Sequence, residues 1–362
     1  MTLVNGAMAI GAGHCKHLPS SDGLTVGLNE GANTVKFYTF RWEGQVRLGA
    51  ATDGGRLVDL ASARQMRGEG VLPAYRNMQS LIESESAGLD ATHEILQNPP
   101  EDATKPIDSL TLTAPLRPLK IWSYSIYADH LRGAGGGMAK LMQEGLSEEQ
   151  RKRVSEVLEK MGAGGAEFPP PAYYENPPYY CPDVMALTGH DSTVEWPAYS
   201  NWIDYELELV AVIGKRGKDI SADTATTHIF GYTILNDLSA RDAQMAAMAV
   251  AGLPGKGKDF DNSNPMGPCI VTADEIPDPF AMKVTARVNG EVWASRVAGQ
   301  PDHTYAGIIA HATQSQTIMP GEAFSTGCVA GFSATEVGRK LSRGDVVELE
   351  ADRIGVLRTH IV

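Results

Sequence analysis

The residues best able to do chemistry lie in Asp204-Tyr205-Glu206-Leu207-Glu208-Leu209-Val210-Ala211-Val212-Ile213. A strand has a side-chain period of two, so Glu206 and Glu208 share one face, about 7 Å apart along it. That face continues as Val210 and Val212, and the opposite face is Leu207, Leu209 and Ala211. Both faces therefore become apolar, as in a strand buried on two sides. Two carboxylates at the mouth of such a strand repel each other, and each costs several kcal/mol to desolvate unless compensated. A bound cation is the simplest compensation. A third acid stands in Gly231-Tyr232-Thr233-Ile234-Leu235-Asn236-Asp237, a strand ending in Asn-Asp and followed by helix-compatible sequence through Gln244 and Met248. If the two strands pair, Asp237 meets Glu206 and Glu208. Three carboxylates without a cysteine describe a hard-oxygen site, favouring Mg²⁺, with Mn²⁺ or Ca²⁺ also suited. Spacing alone leaves the competing reading open, an exposed acidic strand face.

Other candidates are weaker. Gly252-Leu253-Pro254-Gly255-Lys256-Gly257-Lys258 has the skeleton of a phosphate loop, but Asp259 replaces the Ser/Thr that holds Mg²⁺, and helical sequence precedes it instead of a strand. It reads better as a Gly-rich loop delivering Lys258 to an anionic group. His130 follows the strand end Tyr127-Ala128-Asp129, where a general base could sit beside a bound metal. His14-Cys15-Lys16-His17 lies in an unpatterned terminus and reads as incidental. The Gly133–Gly137 run has no βαβ unit around it, which excludes a dinucleotide loop. For His190, His228, His303, His311 and His360 a core or surface role is the default.

The elements that must position these residues are mostly strands. Residues 1–33 are Gly-rich and aperiodic and read as an extension. A small β-rich N-terminal module is expected over 34–115, with strands at 35–42, 46–50 and 57–60 and a helical stretch near 73–86. The larger domain, 116–362, opens with a strand at 120–127, then an insert at about 131–178 that could be a mobile lid. Within the insert, Ser147 and Gln150 form a capping box for a helix carrying Val154, Val157, Leu158 and Met161. Further strands are expected at 205–213, 229–235, 284–288, 291–293, 346–350 and 356–361, with Asn289-Gly290 as a type I′ hairpin turn. The fold class is mainly β with α (α+β), without the βα alternation of a Rossmann fold.

Composition narrows the function. With 362 residues, 43% hydrophobic and 21% charged, the chain is an ordinary folded protein. A formal net charge of −13 opposes nucleic-acid and anionic membrane partners. No apolar run reaches the ~18 residues of a membrane span, and the first residues do not read as a signal peptide. Cys15, Cys181, Cys269 and Cys328 are far apart, which argues for reduced thiols in a cytoplasm.

Taken together, these stretches resemble the fumarylacetoacetate hydrolase family over about Val35 to Val362. The resemblance rests on Tyr127-Ala128-Asp129-His130, on Tyr205-Glu206-Leu207-Glu208-Leu209, on Asn236-Asp237-Leu238-Ser239-Ala240-Arg241-Asp242-Ala243-Gln244, and on Lys258-Asp259-Phe260-Asp261 with Pro265-Met266-Gly267-Pro268. It implies a mixed β-sandwich roll, usually a homodimer, with one Mg²⁺-type ion. It further implies Glu206, Glu208 and Asp237 as metal ligands, His130 as the base that activates water, Lys258 as a catalytic and substrate-holding residue, and Arg241, Gln244 and Tyr127 at the substrate. The implied activity is hydrolysis of a C–C bond in a β-diketo acid such as an acylpyruvate, through a metal-stabilised enolate. Decarboxylation, tautomerisation or hydration of a 2-oxo acid is the alternative, and a non-catalytic metal-stabilised binding protein a third reading. Four positions depart from the acylpyruvase-like pattern. Ser123 stands where another branch has a fourth carboxylate, Cys181 where many members have lysine, and Cys328 where Thr-Gly-Thr is usual. Gly133 stands where a glutamate partners the histidine.

Overall fold

The computed structural model describes residues 35–51, 55–143, 147–149, 151–152, 156 and 168–362. The extension 1–33, the His14–His17 run and most of the helix expected over 147–161 lie outside the described residues.

Alternating and β-branched segments form the strands β1 (Lys36–Trp42), β2 (Gln45–Ala51), β3 (Arg56–Asp59), β4 (Thr104–Pro106), β5 (Ile121–Tyr124), β6 (Tyr179–Tyr180), β7 (Ser192–Val194), β8 (Glu206–Ile213) and β9 (Ile229–Asn236). The remaining main strands are β10 (Asn264–Thr272), β11 (Lys283–Val288), β12 (Glu291–Val297), β13 (Ala323–Ser333), β14 (Val346–Ala351) and β15 (Gly355–Ile361). One large sheet runs β4-β3-β2-β1-β10-β9-β8-β13-β5-β6, and a second runs β12-β11-β14-β15-β7. Pairing is antiparallel along both except where β13 meets β5 and β15 meets β7. This is the mainly β architecture with helices expected from the sequence. The strands of residues 34–115 extend the large sheet directly, through β1 on β10.

The centre of the large sheet is buried on both sides. From β8, Leu207, Leu209, Ala211 and Ile213 pack with the second sheet and the helix Tyr305–Thr313 in one core. Val210 and Val212 pack in the other core, with the helices α1 (Leu60–Met66), α2 (Met78–Glu83) and α3 (Ser86–Gln97). Asp59 ends β3 and caps α1 by accepting from the Ser62 amide, so the strand read to residue 60 becomes helix there. At Asn289-Gly290 both residues have positive φ, as the hairpin signal requires.

The largest departure from the sequence reading is at 125–142. The strand expected to run to residue 127 stops at Tyr124, and α4 (Ala128–Met142) follows, carrying His130 in its first turn and passing straight through the glycine run. Local propensity argues against this, since each interior glycine costs about 1 kcal/mol relative to alanine. Two tertiary contacts override it. The Asp302 carboxylate, 174 residues away, accepts from the Ala128 amide at 2.7 Å and caps the helix. The glycines also let α4 lie close to residues 335–336, because a Cβ at Gly137 would sit 2.3 Å from the Thr335 carbonyl oxygen. Among the described residues, no helix is long and apolar enough to cross a membrane.

Candidate functional site

The start of β8 and the end of β9 build the acidic centre. Leu207 lies opposite Asn236 in the antiparallel ladder, and the Asp237 amide donates to the Glu206 carbonyl at 3.1 Å. Glu206, Glu208 and Asp237 are all buried, and one ligand oxygen from each lies within 4.8 Å of the others. The ladder between β8 and β13 is irregular on both sides of Glu208, as expected where a bulge re-aims side chains at a site.

Lys258 and Arg241 reach the same point from two other segments. Gly255 takes φ 49° in the turn 255–257, and a Cβ on Gly257 would lie 2.3 Å from the Gln244 Cβ. The glycines therefore let this turn press on α5 (Arg241–Ala251) and deliver Lys258 inward. Lys258 Nζ is 2.6 Å from Glu206 Oε2 and 2.7 Å from Asp237 Oδ2, and donates to the Asp237 carbonyl at 3.1 Å. Arg241 opens α5 with its guanidinium buried. Its Nη2 is 2.7 Å from both Asp204 Oδ2 and Glu206 Oε1, and its Nη1 donates to Gln244 Oε1 at 3.0 Å. Both cations are thus committed to holding the carboxylates. Gln244 is half-buried beside Arg241. Tyr127 is buried directly before α4, and its hydroxyl donates to the Gly299 carbonyl at 3.3 Å.

His130 faces Glu206, with Nε2 3.5 Å from Oε1, and its Nδ1 lies 2.9 Å from Glu336 Oε2. Glu336 was not identifiable from the sequence pattern. It fills the room that Gly133 leaves, since a Cβ there would be 2.8 Å from Glu336 Oε1. The partner carboxylate missing at 133 is therefore supplied by the segment after β13. The Gly331 amide (2.7 Å) and the Ser333 hydroxyl (2.9 Å) orient it. Asp204 secures the same turn, accepting from the Ala334 amide at 2.7 Å while it pairs with Arg241. Asp204 stood beside the acidic motif, but nothing local separated it from a surface aspartate. Tyr180 was also missed. Its hydroxyl donates to Asp237 Oδ2 at 2.5 Å.

The four departures sit around this centre. Ser123 Oγ lies 3.4 Å from Glu208 Oε2, which also accepts from Ser325. Cys181 is exposed, Gly133 makes room for Glu336, and Cys328 is buried with its thiol 3.8 Å from Glu336 Oε2.

Electrostatics follow from counting charge. Among the described residues, Asp204, Glu206, Glu208, Asp237 and Glu336 converge with only Arg241 and Lys258 as fixed cations. Burial raises the pKa of Glu206, but Arg241, Lys258 and His130 outweigh it and hold this carboxyl well below its usual range. Burial and the neighbouring Asp237 and Glu206 push Glu208 well above its usual value. Burial also raises Asp237, with Lys258 opposing and Glu206 assisting. Burial lowers the His130 pKa, yet Cys328 and Glu336 more than reverse this and leave it well above 6.5. Burial and mutual repulsion thus favour the protonated forms of Glu208 and Asp237. A divalent ion fits the residues present. The donors are hard oxygens, and Asp237 Oδ1 is buried with no hydrogen-bond partner among the described residues.

The fold and this carboxylate centre define a class of sheet-rich enzymes. Residues 151–362 match the family model described as fumarylacetoacetate (FAA) hydrolase, C-terminal. The chain belongs to the fumarylacetoacetate hydrolase family. It is 38% identical over 187 residues to the Bos taurus protein named oxaloacetate tautomerase FAHD2A, mitochondrial, covering 49% of this chain and 57% of that protein. It is 34% identical over 189 residues to oxaloacetate tautomerase YisK of Bacillus subtilis, covering 52% of this chain and 62% of that protein. The chain thus spans somewhat over half the length of these curated relatives. A fumarylacetoacetate hydrolase from Exiguobacterium antarcticum superposes with TM-score 0.65 at 23% identity, covering 91% of this chain and 99% of that one. Maleylpyruvate hydrolase from Sphingobium superposes with TM-score 0.62 at 20% identity, covering 90% and 99%. These two likenesses bear on the fold alone.

Proposed function

We propose that this chain acts on enolisable 2-oxo acids, moving a proton at the carbon beside the ketone, with a tautomerase or isomerase outcome. One observation carries the reading: His130 Nε2 faces the acidic trio while its Nδ1 is fixed by a buried carboxylate 2.9 Å away. Similarity to proteins named oxaloacetate tautomerase supports the choice of outcome. The ion assigned to Glu206, Glu208 and Asp237 is Mg²⁺, which when bound supplies Lewis-acid stabilisation of developing enolate charge. His130 Nε2 exchanges the proton with the substrate carbon, and Glu336 holds the Nδ1–H tautomer and stabilises the imidazolium. Arg241 and Lys258 keep Glu206 and Asp237 at fixed spacing against their mutual repulsion. Gln244, at the edge of the centre, orients the substrate carboxylate, and Tyr127 anchors the start of the helix that carries the base. We further assign a homodimer in a reducing compartment such as the cytoplasm.

Hydrolytic C–C cleavage of a β-diketo acid is the second reading. It is favoured by the same His130–Glu336 pair, which can equally take a proton from water. Incubation with Mg²⁺ separates the two. Enol-oxaloacetate losing its enol absorbance faster than the uncatalysed rate, with oxaloacetate conserved, supports tautomerisation. Release of pyruvate from acylpyruvates, with no acceleration of the oxaloacetate enol, overturns it in favour of hydrolysis.

A further inference from the structure

We propose that His130, Cys328 and Glu206 form a second metal position, for a thiophilic divalent ion of the Zn²⁺ type, adjoining the all-oxygen trio and sharing Glu206 with it. One donor atom from each of the three lies within 4.8 Å of the other two, and all three residues are buried. The donor set is imidazole nitrogen, thiolate sulfur and carboxylate oxygen, which suits Zn²⁺, whereas the trio suits Mg²⁺. Tetrahedral zinc, at about 2.0–2.3 Å from each donor, spaces its ligands by roughly 3.3–3.8 Å. Closing the set draws the three donors in from within 4.8 Å of one another and moves the Arg241 guanidinium off Glu206 Oε1.

Two further features prepare the position. His130 Nδ1 is 2.9 Å from Glu336 Oε2, and a carboxylate in that place fixes the Nδ1–H tautomer and leaves the Nε2 lone pair for a metal. Charge also balances. Burial pushes the Cys328 thiol up, so its ionisation depends on the incoming cation; with it ionised, six anionic groups face Arg241 and Lys258, and two divalent ions bring the total to neutrality. Binding breaks the S–H bond, forms a sulfur–metal bond and releases one proton to solvent. The competing cation is Arg241, whose Nη2 lies 2.7 Å from Glu206 Oε1. An ion here takes the His130 lone pair, so the position is inhibitory wherever His130 acts as the base. Its existence does not depend on which reaction the enzyme performs.

The test uses the full chain with Cys15→Ser and Cys181→Ser, saturated with Mg²⁺ and titrated with Co²⁺. The expected result is a thiolate-to-cobalt charge-transfer band in the near ultraviolet that saturates at one equivalent and is displaced by Zn²⁺. The band disappears in Cys328→Ser, or in Cys328→Thr if the serine variant fails to fold, and Zn²⁺ affinity falls by more than the 10- to 100-fold that loss of an outer partner alone costs. A folded parent protein that gives no band, or a band that survives loss of the Cys328 sulfur, overturns the proposal. Asp237→Asn separates this claim from the Mg²⁺ assignment, because it should weaken Mg²⁺ binding and keep the cobalt band. A band in a parent protein that never bound Mg²⁺ would sink the trio assignment and leave this position standing.

Discussion

The tripeptide Glu-Leu-Glu occurs twice in this chain on strands, with opposite results. On β8, Glu206 and Glu208 are buried and meet two buried cations, a histidine and a third carboxylate. On β14, Glu348 and Glu350 keep side-chain exposures of 22% and 33% and pair across the sheet with Arg358 (3.0 Å) and Arg287 (2.6 Å). In both strands the leucine between them is fully buried. The difference lies in the neighbours. β14 has water on its acidic face, so each glutamate finds one arginine and needs nothing more. β8 is a central strand whose two faces both become core, and its carboxylates face one another in low dielectric. An acidic pair is a solvated strand face in the first setting and a cation trap in the second.

That contrast can be broken or sharpened by experiment. The largest effect is expected from Asp237→Ala or Glu208→Ala, which should abolish Mg²⁺ binding by calorimetry. Turnover should fall about 10³-fold, because several kcal/mol of Lewis-acid stabilisation are lost at 1.36 kcal/mol per decade. Glu350→Ala should leave both unchanged. Asp204→Ala removes one of the two carboxylates paired with the buried Arg241, and urea unfolding should show a loss of about 3 kcal/mol. His130→Ala should lower turnover roughly 10²-fold while Mg²⁺ binding persists. Glu336→Gln should cost less and shift the pH–rate profile, because His130 loses a partner that raises its pKa.

The pH dependence of stability also separates the two strands. Glu208 and Asp237 have folded pKa values above their ordinary ones, so the metal-free protein retains protons that the unfolded chain releases. That contribution is lost as pH rises from the ordinary carboxyl values of 3.8 and 4.5 through the folded values. The raised His130 pKa acts in the same direction above 6.5. Glu206 acts oppositely, below 4.5, where its stabilisation is lost as pH falls. The increase in melting temperature on adding Mg²⁺ should therefore grow with pH. An increase that shrinks from pH about 6 to 8 would contradict buried carboxylates at the site. The smallest effect is expected from Glu348→Ala, whose exposed pair should contribute under about 1 kcal/mol.

Much of the centre was legible locally. The period-two run at 206–213, the Asn-Asp ending of the next strand and the Gly-rich turn before Lys258 all arise from short-range geometry, and the structure brings these groups together. Arg241 was also found, but its guanidinium is occupied by Asp204, Glu206 and Gln244. Glu336 was illegible because its only signal is an absence of side chain at Gly133, 203 positions earlier, and adjacency of that kind is created by packing. The α4 start was misread for a similar reason, its capping carboxylate being supplied by Asp302.

By itself, the order of residues determined most of the strands, though not β10 and β13, together with the shared face of Glu206 and Glu208 and the oxygen character of the trio, since these depend on backbone periodicity and side-chain chemistry within a few residues. Only the tertiary structure decided which Glu-Leu-Glu is buried, which carboxylate fixes His130, and that Cys328 lies beside that histidine. Those outcomes depend on which distant segments exclude water together, and a desolvated charge accepts whatever partner the fold places within reach.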